Sequence, residues 1–202
     1  SKEIFDLLYP SYGDTYPTYS GSIGMTYEQG GSGRAGLAVI TQVGDTLRLA
    51  YRVAHHVTTG LSTVETSARN AQKLVAEYQK FYKQKDFKYE SYVLKGSSNQ
   101  IEPLLVLLGK NNIQWQMIST STQAIAAKGF HFKTGAQEAF KLNIGDIIVS
   151  THQEKGTLVS VLFEPRTKLS DSLTYDITAW SLPYAYRSEE RRVGKECRSR
   201  WS

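Results

Sequence analysis

A carboxylate set among small residues is the first chemistry the sequence offers. In the run Ser22 to Gly36, SIGMTYEQGGSGRAG, strand alternation puts Ile23, Met25 and Tyr27 on one face. Gly24, Thr26 and Glu28 then share the other. The first set is apolar enough to pack on a core, and the second leaves open space beside the Glu28 carboxylate. Such a group can act as a general base. The plain alternative is a surface glutamate at the end of a strand.

Other constellations carry less. GSGRAG, Gly31 to Gly36, matches the dinucleotide pattern G-x-G-x-x-G, which works only where the glycines open a helix onto a pyrophosphate. Here they run into LAVITQV, which is β-like, and no GK[ST] follows, so nucleotide binding is rejected. Nothing places a Ser or Cys nucleophile beside a base. A paired-carboxylate mechanism lacks a partner for Glu28 other than the distant Asp14. The adjacent His55 and His56 diverge on any regular element and read as structural.

The run GMTYEQGG, with YPSYGDTYP before it and RVAHHVTTGLSTVETS after it, resembles the C-terminal part of a zinc carboxypeptidase catalytic domain. That family is the carboxypeptidase A-like metallopeptidases, and the resemblance, to bacterial members, covers residues 3–186. It implies a peptide hydrolase in which Glu28 is the general base, taking a proton from a zinc-bound water and passing it to the leaving amine. It also implies a loop upstream that covers the site and carries a substrate-holding Tyr. That position falls on Asp6 by ungapped counting, with Tyr9 and Tyr12 the nearest candidates. Tyr12 and Asp14 are the expected substrate-binding residues, Asp14 at a position where the family often has an acidic residue shaping the specificity pocket. Arg34, close to Glu28, is a weaker candidate to line the site.

The family's zinc set, H-x-x-E plus a further His upstream of the catalytic Glu, is not met. Three residues beyond the four histidines stand Thr58, Thr59, Thr134 and Lys155, and no His precedes Glu28. The resemblance therefore implies zinc as cofactor with its ligands outside this sequence, and an isolated chain without activity. It further implies peptide or protein substrates and a periplasmic or extracellular location. A non-catalytic peptide- or glycan-binding module is the alternative, with the Glu28 segment as scaffold.

The elements that would position these residues make an α/β protein. Ile4 to Tyr19, with Pro10, Gly13 and Pro17, reads as an irregular loop. Leu37 to Ile40 and Leu47 to Val53 read as a strand pair across Gly44-Asp45. Ser62 and Glu65 match a capping box, opening a helix whose stripe is Val64, Ala68, Ala71, Val75, Tyr78 and Tyr82. This is expected to be the last helix of the catalytic domain, packed on its sheet. Lys83 to Lys88 marks a boundary. Beyond it come a strand over Tyr89 to Leu94, a turn at Gly96 to Asn99 and a helix over Ile101 to Leu108 with Pro103 in its first turn. Strands over Ile113 to Ile118 and Ile147 to Ser150 follow, and a short helix over Thr157 to Phe163. The expected domains are the C-terminal part of a carboxypeptidase-like mixed-sheet domain over 1–86 and a small α/β accessory domain over 87–186. Trp180 and the closing tyrosines read as packing residues.

The 202 residues are 40% hydrophobic and 21% charged, as in ordinary globular proteins. No apolar run approaches the roughly 20 residues that span a bilayer, so no membrane is expected. The net charge of +5 is concentrated in the last 16 residues, RSEERRVGKECRSRWS, which supply +3. The rest gives no sign of a nucleic-acid partner. The 187–202 tail lacks apolar content and periodicity, resembles vector- or adaptor-derived read-through, and is expected to be disordered and foreign to the fold. It holds the one cysteine, Cys197, so the body has no disulfide. The chain opens at Ser1-Lys2, close to a motif that belongs deep inside a domain, which implies an N-terminally incomplete protein.

Overall fold

The computed structural model describes residues 9–28, 38–83, 86–119, 125–165 and 181–194. They divide into two compact units, one of residues 23–83 and one of residues 9–22 with 86–194. Both helices and sheets are present, as the α/β expectation requires.

In the 23–83 unit, β1 (Val39–Ile40) pairs antiparallel with β2 (Thr46–Leu47). Gly44 closes the connection at φ +88°, a left-handed conformation that suits glycine. The expected second strand stops at Leu47, because Leu49 begins α1 (Leu49–Arg69). Helix α2 (Ala71–Lys83) follows after Asn70, whose backbone N–H and side-chain amide both donate to the Thr66 carbonyl. The capping box at Ser62 and Glu65 is thus a mid-helix sequence. Val53, Val57, Leu61 and Val64 continue one apolar stripe by fours and threes, so the helix pattern runs unbroken through Ser62. No residue of α1 or α2 is buried, and Val64, Val75 and Tyr78 of the stripe are exposed.

The other unit is organised on a six-stranded antiparallel sheet. Its strands are β3 (Ser91–Lys95), β4 (Gln116–Met117), β5 (Ile125–His131), β6 (Gln137–Leu142), β7 (Ile147–Ser150) and β8 (Glu189–Val193). They lie in the order β4-β7-β3-β8-β5-β6. Three helices accompany them: α3 (Ser98–Lys110), α4 (Gly156–Leu162) and the short α5 (Leu182–Ala185). A capping box between Ser97 and Gln100 starts α3, so the expected turn at Gly96 to Asn99 is partly helix and Pro103 sits in the second turn.

Alternation on β3 sorts the core into two layers. Tyr92 and Leu94 face Ile101, Leu104 and Leu108 of α3, Leu158 and Val159 of α4, Ile147 and Val149 of β7, and Phe163. Val93 faces the other way, with Leu142 and Val193. Each such aliphatic side chain contributes about 1.5–3 kcal/mol through burial.

Two boundaries differ from those expected. Residues 9–22 join this unit rather than the stretch up to 86, because Tyr16 and Tyr19 pack against its core. The Tyr16 hydroxyl also donates to Asn111 Oδ1 at 2.9 Å, and Lys155 Nζ donates to Ser20 Oγ at 3.0 Å. Residues 189–193, expected to be disordered, form a central strand, because β3 and β5 offer backbone partners on both sides.

Candidate functional site

Tyr12 and Asp14 stand together, half-buried, in the turn that leads into a 3-10 helix over Tyr16–Ser20. The Tyr12 N–H donates to the Tyr9 carbonyl at 3.2 Å and the two rings meet edge-to-face at 5.2 Å. Tyr9 and Tyr12 are thus one packed pair. The Asp14 carboxylate accepts from Thr15 Oγ1 at 3.3 Å, and Thr15 is buried. Downstream, burial and then the Glu164 charge raise the Tyr19 hydroxyl above its usual pKa. Acceptor and hydroxyls of this kind can orient a polar substrate.

Glu28 belongs to the other compact unit. Residues 23–28 carry no strand pairing, a correction to the expected strand, and Ile23, Met25 and Tyr27 are exposed rather than packed on a core. The Tyr27 hydroxyl lies 3.0 Å from Thr63 Oγ1 of α1 and 2.9 Å from Met25 Sδ. Tyr27 is thereby tied to α1, and Glu28 beside it is exposed. Arg34, the GSGRAG run, Trp180 and Cys197 lie outside the described residues.

Among the described residues, no group of three or more His, Cys, Asp or Glu side chains is placed to hold a metal. Three of the four histidines make other contacts. His55 stacks on Tyr51 one turn earlier in α1, and His131 Nδ1 accepts from the Lys133 N–H at 3.1 Å in the turn after β5. These residues do not furnish a zinc site.

Two further clusters were not legible in residue spacing. His152 Nε2 meets Glu90 Oε2, while the His152 N–H donates to Ser150 Oγ at 3.0 Å. Thr151 Oγ1 donates to the carbonyls of Tyr89, at 2.9 Å, and Glu90, at 3.0 Å. This network fastens the segment after β7 to the start of β3. The second cluster is Glu190, Arg192 and Tyr89 on the core face of the sheet. Glu190 is fully buried and neither carboxylate oxygen has a hydrogen-bond partner. Burial pushes its pKa up to about 8, against the opposing pull of Arg192 and Arg191. The Arg192 guanidinium lies over the Tyr89 ring at 5.0 Å, donating to the Tyr89 hydroxyl at 3.2 Å and the His131 carbonyl at 3.1 Å.

No protein-family model, curated protein or solved structure matches the chain.

Proposed function

We propose that the chain belongs to a zinc-dependent metallocarboxypeptidase and supplies its general base, Glu28. One observation carries the reading: Glu28 is exposed next to Tyr27, whose hydroxyl meets Thr63 of α1. The resemblance of GMTYEQGG and its flanking runs to that family is the sequence ground for it.

In this reading Glu28 takes the proton of the attacking water and returns it to the departing amine, a transfer worth about 10²–10⁴-fold in rate. Tyr12 and Asp14 are assigned to substrate binding. Zinc would be held by residues other than those described. The substrates are peptides or proteins, in the periplasm or outside the cell, and this stretch of chain alone does not turn over. The test is release of C-terminal residues from peptides by the complete enzyme. Chelation should abolish the release and added zinc restore it; release indifferent to chelator contradicts the proposal.

A second reading, a non-catalytic peptide- or glycan-binding module, is favoured by the separate core that residues 9–22 and 86–194 build for themselves. An H-x-x-E motif and a later His upstream of Glu28 in a longer reading frame favour the enzyme, and their absence favours the module.

A further inference from the structure

One strand of the sheet, β8, carries a side chain that fits its surroundings poorly. β8 lies between β3 and β5, pairing Val193 with Ser91, Arg192 with Tyr92, Arg191 with Val93 and Glu190 with Leu94. On its other side Arg192 pairs with Phe130 and Arg191 with His131. The slot is shaped for a strand backbone. A Cβ on Gly129 of β5 would come within 2.6 Å of the Arg192 carbonyl oxygen, so β5 is bare where the inserted chain passes.

Val193 is buried with Val93 and Leu142, an apolar residue in an apolar place. Arg192 has the Tyr89 ring, the Tyr89 hydroxyl and the His131 carbonyl, which together form a cation seat. Arg191, on the opposite face, lies 3.0 Å from Glu138 Oε1. Glu190 is the clearest mismatch, although Arg192 Nε is also buried without a hydrogen-bond partner. It projects on the face of Leu94 and Tyr92, its oxygens unbonded, and its nearest cation is Arg192 Nε at 3.8 Å. A buried carboxyl without hydrogen bonds is strongly disfavoured, whereas a leucine-sized side chain beside Leu94 would extend the core. Just before the strand, the Ser188 hydroxyl is also buried without a partner.

We infer that the slot between β3 and β5 is an acceptor site for an extended segment of a partner polypeptide. The segment carries an apolar residue opposite Leu94, an arginine two residues later and an apolar residue next. Glu189–Val193 fills the site as an exchangeable occupant, held by Arg192 and Val193 and weakened by Glu190. Recognition is by strand addition: the ladder supplies affinity and the alternate side-chain positions supply selectivity. This inference is independent of the role proposed for Glu28.

The test uses the full chain and labelled peptides spanning residues 188–194, in three forms: unchanged, with E190L, and with E190L and R192L together. Fluorescence anisotropy should show the E190L peptide binding at least tenfold tighter than the unchanged one, with R192L removing most of that gain. Hydrogen exchange on the same complex should show Glu190–Val193 of the chain losing protection while β3 keeps it. A second measurement places E190L in the chain itself, which should raise its melting temperature and exclude the peptide. Equal binding of the three peptides, no binding by any of them, or a lower melting temperature for the E190L chain would each overturn the inference.

Discussion

Glu190 stands opposite Leu94 in the ladder between β8 and β3, and both side chains are fully sequestered from solvent. The carboxyl faces Arg192 along its own strand and Tyr92 across the ladder, with Arg191 contributing from the next position. Desolvation outweighs both arginines, so the folded pKa is about 8 against an ordinary 4.5. The folded state therefore keeps a proton that the unfolded chain releases. The associated stability is fully present below about 4.5 and is lost as pH rises to about 8. Urea unfolding between these limits should lose stability at up to ~1.4 kcal/mol per pH unit. Glu190→Gln should flatten the profile; parallel profiles for the two proteins would contradict the assignment.

Asp146 ties three parts of the sheet unit together. Its carboxylate pairs with Lys95 at the end of β3 and accepts the Asn143 N–H at 2.7 Å, while Lys95 Nζ donates to the Lys141 carbonyl at 2.8 Å. Both side chains are largely buried, so removing one leaves the other charge stranded. Asp146→Ala should cost about 2–4 kcal/mol in urea unfolding. An unchanged midpoint would show the pair to be solvent-screened.

Two glycines should respond to very different degrees to a methyl group. At Gly156, where α4 begins, a Cβ would lie 1.9 Å from the Thr151 carbonyl oxygen and 2.9 Å from Phe87 Cζ. Gly156→Ala should lower stability by about 3 kcal/mol or more through displacement of packed backbone. Gly135 has open space but φ +68°, so Gly135→Ala should cost only about 1 kcal/mol. Thermal melts of the two variants side by side test the contrast.

The helices of the two units should differ in protection. Ile101, Leu104 and Leu108 of α3 are buried, whereas α1 and α2 bury no residue. Amides of α2 should therefore exchange with solvent well before those of α3. Equal protection would mean that the stripe of Val75 and Tyr78 is covered in solution.

Local patterns were legible where they agreed with packing. The strand over Ile147–Ser150 has the predicted limits, and α4 begins one residue before the predicted Thr157. The Ser62 capping-box pattern misled because the stripe through Val53, Val57 and Leu61 already commits the chain to helix. The adjacent Thr63 hydroxyl instead donates back to the Thr59 carbonyl at 2.8 Å, as mid-helix hydroxyls do. β8 was hidden for the opposite reason. Its residues have the composition of a solvated tail, and only neighbours on both sides make it a strand. The hairpin of β5 and β6 was also missed. Its signal was the Thr134-Gly135 turn, with Gly135 at φ +68°, between β-compatible runs. Of the site, Tyr12, Asp14 and Glu28 rested on similarity, while Glu90 and His152 lie 62 residues apart and no spacing rule joins them.

The role proposed for Glu28 is tested most directly by Glu28→Gln in the complete protein purified with zinc, with zinc content and release of C-terminal residues measured on one preparation. The amide keeps the size of the side chain and removes its basicity. Zinc content should stay the same while kcat falls by about 10²–10⁴-fold. Full activity in the variant would show that Glu28 is not the general base.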